Sequence, residues 1–412
     1  MPNTKYLQIW TVLCTTVLFF TNKATTMLAA THRTAGKAWH ACAAVVAAGL
    51  VLIVYAGVSK QREYAEDARN SVRMQHMMQH ALENVHVTCP ASSARRASAA
   101  LPSAPERLAF YSSALPPCSQ PIVAPAGFKT HDRLFCLQPR PRNAKPRGWY
   151  AVLHDWKHHR ERRYVQELEA AAADEGANVP TIIGDRIMDA APDQCPLVVK
   201  VRNRGESANA IAQMEWLRHF KDVPEVFTSD TTPFSDKLDE AVWHGATTGH
   251  RGGQRWHLLR TLGRYRDHPA IAMGVSKLVQ GYTRSSFLKQ DLHSQSVRDQ
   301  LRYKMLIDAE GNDVSTGLKW KLASRSAVIM PDPTVSSWAM EERLLPWVHY
   351  IPVKQDFSNL TAAVAWCLEH TPQCEQIGRN GRCWIAPFLN ATAEHALLRQ
   401  VVSKSTPCRG DI

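Results

Sequence analysis

From residue 179 to 390, short apolar runs alternate with longer segments of helical patterning, the arrangement of α/β domains built on parallel sheets. Residues 179–184 (VPTIIG) and 196–201 (PLVVKV) each read as a strand. The apolar run 241–243 leads into GATTGHRGGQR, residues 245–255, a loop of small residues, hydroxyls and arginines suited to phosphate. A further strand at 303–308 (YKMLID) is followed by AEGNDVS, a helix over 315–324 and a strand at 328–330. Residues 346–353 (PWVHYIPV) and a helix over 360–370 complete the pattern. A strand, a glycine-containing turn and a helix in succession bring backbone N–H groups to the strand's carboxyl end, where parallel sheets bind nucleotides and pyrophosphates.

The N-terminal region has a different pattern. Residues 38–58 (AWHACAAVVAAGLVLIVYAGV) contain no Lys, Arg, Asp or Glu, and a membrane-spanning helix needs about 20 apolar residues. Arg33 and Lys37 precede this stretch, so the expected topology is single-pass type II, with the body in the lumen of the Golgi or endoplasmic reticulum. The apolar stretch 6–20 reads either as a second span or as part of an overextended N-terminus. Met74, Met77, Met78, Leu82 and Val85 recur at near-helical spacing, as in a stalk, and residues 89–127 have the Ala, Ser and Pro content of a spacer. The expected division is a tail and anchor at 1–59, a stem at 60–127, an acceptor-side domain at 128–237, a nucleotide-sugar domain at 238–390 and a tail at 391–412.

Charge and cysteine content narrow the chemistry. Among 412 residues, 49 Lys and Arg face 37 Asp and Glu, a formal charge of +12 that favours anionic ligands. Residues 129–163 are basic, but Trp149, Tyr150 and Trp156 interleave too little aromatic character among the bases, so this run reads as a solvated face and not as a nucleic-acid site. Eight of the ten cysteines lie beyond the apolar N-terminal stretches, an even number that suits disulfides, and no Cys-x-x-Cys pair marks a zinc ribbon. Sequons begin at Asn359 and Asn390. No Asp-x-Asp occurs, the motif that would hold a cation bridging a donor diphosphate.

Residues 310–353 (EGNDVSTGLKWKLASRSAVIMPDPTVSSWAMEERLLPWVHYIPV), with WHGATTG at 243–249 and with Arg379 and Gly381, resemble glycosyltransferase family 90. That family includes the Rumi-type protein O-glucosyltransferases and the capsule-associated xylosyltransferases. The resemblance implies a GT-B fold, two Rossmann-like domains facing a cleft. It also implies an inverting, metal-independent transfer from a UDP-sugar to a protein, glycan or lipid acceptor, with no cofactor. It places the donor loop on Asn312, Asp313, Val314, Ser315 and Thr316, and the small-residue loop on Ala246, Thr247 and Thr248. The loop's phosphate-binding arginine falls on Arg255, or on Arg251 if the loop is gapped differently.

Two positions depart from the family pattern: His244 and Gly317 stand where the family carries arginine, and Lys319 is the expected replacement charge. Glu341 is expected against sugar or ribose hydroxyls. The catalytic base falls on Asp185, with Asp189 and Asp193 as neighbours. The two departures keep a second reading open, an inactive membrane-tethered sugar-binding or scaffold protein of the same fold. The active reading requires the glycine loop and the EGND turn to meet around one cleft.

Overall fold

The computed structural model describes residues 73–74, 76–81, 83, 100–114, 133–137, 165–183 and 195–405. The expected span at 38–58, the stretch at 6–20, the catalytic candidate Asp185 and its neighbours Asp189 and Asp193 lie outside the described residues.

The dominant element is a five-stranded sheet of β6 (Leu238–Ala246), β7 (Ile271–Lys277), β8 (Tyr303–Ile307), β9 (Ala327–Pro331) and β11 (Ile351–Val353), in the spatial order β11-β9-β8-β6-β7. Every pairing in it is parallel. Side chains alternate across a strand, and here both faces are buried, as parallel sheets require. Val242, Leu306, Val328 and Met330 enter one core. Ala241, Trp243, Met305, Ile307, Ala327, Ile329, Ile351 and Val353 enter the other. Chain order therefore reverses between β6 and β8, and the loops leaving these neighbouring strands must part to opposite sides. This reversal opens a crevice at the carboxyl edge.

The first half of the chain contributes a four-stranded sheet of β1 (Arg133–Leu137), β2 (Val179–Ile183), β3 (Val198–Val199) and β5 (Ala210–Ile211). Its β1 edge is antiparallel and its other pairings are parallel. β4 (Arg202–Asn203) leaves this region to pair antiparallel with β10 (Val335–Ser336) of the second half.

The expected fold class is corrected here to mixed α/β with parallel sheets. Among the described residues no helix is long and apolar enough to cross a membrane. Among the described residues of the first half, β3, β4 and β5 have two residues each, and Val198, Ala210 and Ile211 share one continuous core with a face of the five-stranded sheet.

Met74, Met78 and Ala81, in the stretch that reads as a stalk, are buried in that same core. The helix Ala104–Tyr111 is bolted to the C-terminal helix Ala391–Lys404 by ionic and aromatic contacts. Arg107 forks onto both oxygens of Glu394 at 2.7 and 2.6 Å, Trp338 Nε1 donates to the same carboxylate, and Tyr111 stacks on Trp338. Further along, the helix Thr371–Ile385 lies so close to the 325–326 turn that a Cβ on Gly378 would sit 2.9 Å from the Ser326 carbonyl oxygen. Cys367 and Cys374 form a disulfide, and Cys195 and Cys383 are also disulfide-bonded.

Removing one partner of a buried ion pair leaves the other charge uncompensated. Glu394→Ala is therefore expected to lower unfolding free energy by about 3–5 kcal/mol, measured by urea denaturation; a loss within experimental error would show that Ala104–Tyr111 is not anchored in this way.

Candidate functional site

Two loops build the site. After β6 the chain runs through Thr247, Thr248 and Gly249 to the helix Gln254–Tyr265, and after β8 it runs through Asp308–Gly317 to the helix Leu318–Ala323. They meet at the crevice where strand order reverses. Arg255 joins them: Nη1 donates to Thr248 Oγ1 at 2.6 Å and Nη2 to the Ala309 carbonyl at 2.6 Å. His250 Nε2 lies 3.2 Å from the Asn312 carbonyl, and Gln280 links the loops again through the Gly249 N–H and the Asn312 side chain. Both glycines at this junction are required. Gly249 adopts φ +137°, and a Cβ on Gly311 would meet Arg255 Nη1 at 3.1 Å and Thr248 Oγ1 at 3.2 Å.

Between and beside these loops lies a cavity of about 270 Å³. Its walls include Ala246, Thr248, Arg255, the run from Gly311 to Gly317, Trp320, Lys321, His244 and, from the first half, Arg218. The glycine loop and the EGND turn thus share one cleft, as the active reading requires.

Most residues named from sequence converge here, with some exceptions. Ala246, Thr248, Arg255, Asn312, Asp313, Val314, Ser315 and Thr316 all line the cavity. Thr247 does not. Its hydroxyl donates to the Val279 carbonyl and accepts from the Val279 N–H, fastening the glycine loop to the segment after β7. Arg251 is exposed and lies outside the lining. Lys319 and Glu341 are buried against each other at 2.5 Å, and Glu341 also accepts from the Ser337 N–H and hydroxyl. This pair secures the wall behind the donor loop and takes no place in the cavity lining.

The charge expected from Lys319 is supplied instead by Lys321. Lys321 lines the cavity, donating to Asp308 Oδ1 at 2.7 Å and to the Ile307 carbonyl at 2.8 Å. Its Nζ would lie 3.5 Å from a Cβ on Gly317, so it occupies the neighbourhood of the missing family arginine. Burial lowers the Lys321 ammonium below its ordinary range, and Asp308 works against that shift. Burial likewise lowers Arg255, opposed by Asp308 and Asp313, but a guanidinium stays charged.

His244, the other departure, is held by a gap in the neighbouring strand. It pairs in register with Gly274 of β7, where a Cβ would approach its ring to 2.5 Å, and it meets His293 edge-on at 4.6 Å. Burial and His293 push its imidazole down to about 4, so at neutral pH it is uncharged and cannot replace an arginine's charge.

Asp313 is tied across to the first half. It pairs with Lys200 at 2.5 Å, Lys200 pairs with Glu215 at 3.0 Å, and both Glu215 oxygens accept from Arg218 Nη1 at 3.1 Å. Sequence reading missed Arg218, Trp320 and Lys321 as lining residues, because none belongs to a local phosphate-loop signature. Among the described residues, no group of three or more His, Cys, Asp or Glu side chains is placed to hold a metal ion.

The pattern of this site has relatives. The profile of Glycosyl transferase family 90 matches residues 207–393, which reaches further towards the N-terminus than the segment of strong resemblance and takes in Arg218 and Glu215. The chain is 31% identical over 301 residues to O-glucosyltransferase LpsA of Dichelobacter nodosus, covering 73% of this chain and 81% of that protein. Shorter matches join it to Protein O-glucosyltransferase 2 of Danio rerio, 32% identical over 84 residues, and Protein O-glucosyltransferase 3 of Homo sapiens, 25% identical over 107. These two span 20% and 26% of this chain and 17% and 21% of the relatives. Because the LpsA match runs across most of both proteins and the family profile contains both cavity loops whole, the chain belongs to glycosyl transferase family 90 and is a glycosyltransferase.

Proposed function

We propose that this glycosyltransferase moves a hexose or pentose, glucose before xylose, from a UDP-sugar to a hydroxyl of a protein, glycan or lipid acceptor, with inversion and without a metal ion. The observation that carries the reading is the meeting of two small-residue loops at the sheet's reversal point, with Arg255 and Lys321 in the wall. Glycines let a phosphate come close to backbone N–H groups, and fixed cations stabilise the charge that grows on the leaving diphosphate. Asp313 is the single acid in the lining, and its pairing with Lys200 offsets a charge that would otherwise repel a phosphate. The three relatives named above are all O-glucosyltransferases, which favours glucose. Disulfides at Cys367–Cys374, Cys195 and Cys383 favour an oxidising compartment such as the secretory lumen.

Asp185 is the proposed base. It follows β2 by two positions and would take the acceptor hydroxyl's proton as that oxygen attacks the sugar. Screening nucleotide sugars for release of free nucleotide by the full chain tests the donor assignment: UDP-glucose turnover supports it, and turnover of purine-nucleotide sugars alone refutes it. Asp185→Asn should reduce transfer by about 10²–10⁴-fold while leaving UDP affinity intact; equal loss of both would assign Asp185 a structural role. Arg255→Lys retains the charge but loses the fork between Thr248 and Ala309. UDP affinity should fall by roughly tenfold, and calorimetric titration would show an unchanged constant if the fork were dispensable.

A further inference from the structure

Among the described residues, Arg218 is the one that the first half of the chain contributes to the cavity lining. It lies in the short helix Trp216–Phe220, outside both phosphate loops and outside every motif that the sequence offered. Three features distinguish it. Its side chain is 51% exposed, whereas the carboxylate that orients it, Glu215, is 14% exposed. Glu215 has a left-handed backbone, φ 49°, a conformation that non-glycine residues adopt at an energetic cost and that here aims the acid at Lys200 and Arg218 together. The other two cations of the lining are committed within the second half: Arg255 to Thr248 and Ala309, and Lys321 to Asp308 and the Ile307 carbonyl.

The ionic chain Asp313–Lys200–Glu215–Arg218 begins on the donor loop and ends at the wall the first half contributes to the cavity. Burial alone would raise the Glu215 carboxyl, but its contacts with His219, Lys200 and Arg218 outweigh this and hold it well below the usual range, so it stays ionised. An ionised Glu215, both of whose oxygens accept from Arg218 Nη1, keeps the guanidinium in place at the cavity wall.

We propose that Arg218 is a diphosphate-binding residue of the donor site, a guanidinium supplied by the first half that binds the phosphate oxygens of a nucleoside diphosphate. The inference rests on the donor-site reading above and extends it to a residue outside both loops. Glu215 is the positioning residue for it. In this arrangement Arg218 adds a third cation to a lining that already holds Arg255 and Lys321. It also couples occupancy of the donor loop to the first half through Lys200 and Asp313. Because negative charge accumulates on the diphosphate as the glycosidic bond breaks, the contact strengthens in the transition state.

The test compares three probes, uridine, UDP and a UDP-sugar, titrated calorimetrically into the full chain and its variants. Arg218→Ala should weaken UDP and UDP-sugar by roughly tenfold or more and leave uridine, which has no phosphate, within about twofold. Arg218→Lys should recover part of the UDP affinity, with a steeper salt dependence than the parent. Glu215→Gln should give a smaller loss confined to the phosphorylated probes. An unchanged UDP constant in Arg218→Ala overturns the proposal, as does an equal loss for uridine and UDP, which would indicate a general distortion of the cleft. If the parent chain itself fails to bind UDP, the donor reading falls and this inference falls with it; if the parent binds UDP normally and only the variants fail to differ from it, the assignment of Arg218 alone is refuted. Thermal unfolding of each variant identifies any that fold poorly, and Arg218→Lys, which retains length and charge, keeps the comparison decisive in that case.

Discussion

A parallel sheet whose strand order reverses leaves a gap between two of its loops, and in this protein the guanidinium of Arg255 spans it. One N–H group holds the Thr248 hydroxyl after β6 and another holds the Ala309 carbonyl after β8. This fork, with His250 at the Asn312 carbonyl and Gln280 between Gly249 and Asn312, holds the glycine loop and the EGND turn together. Together they form one wall, so close that a Cβ on Gly311 would crowd Arg255 Nη1 at 3.1 Å and Thr248 Oγ1 at 3.2 Å. Arg255 thereby sits in the cavity wall with a partner in each loop.

Behind the wall, charges are arranged in pairs that fix geometry more than they add stability. A buried ion pair recovers little net free energy after desolvation, yet Lys319–Glu341 and Lys321–Asp308 pin opposite sides of one short helix to its surroundings. The Lys200–Asp313 pair reaches across from the first half, so the donor loop is held from both sides. The first half therefore supports the 311–317 turn and adds Arg218 to the cavity wall.

What could be read from sequence follows from the physics of each element. β8 and β9 are buried on both faces and appear as continuous apolar runs, so their existence and order were evident. β7 was not, because Gly274 interrupts its apolar run to make room for the His244 ring, and its last residues are exposed. β3 falls within the strand read at 196–201, whereas β5, of two residues, is too short for any periodicity to show. The exchange of Lys319 for Lys321 has a similar origin. Two residues apart on a helix, side chains diverge by roughly 200°, so one lysine enters the core beside Glu341 and the other reaches the cavity. Which does which depends on the helix's rotation about its axis, set by tertiary packing. Arg218 lies well outside both loops in sequence, and only the fold brings it to them.

The central claim is that fixed amides and cations, with no metal ion, suffice to hold a nucleoside diphosphate in this cleft. The most direct measurement is a calorimetric titration of the full chain with UDP, first with excess chelator and then with magnesium or manganese. The account predicts saturable binding with the same constant in both conditions. Binding that appears only when the divalent cation is added would contradict it.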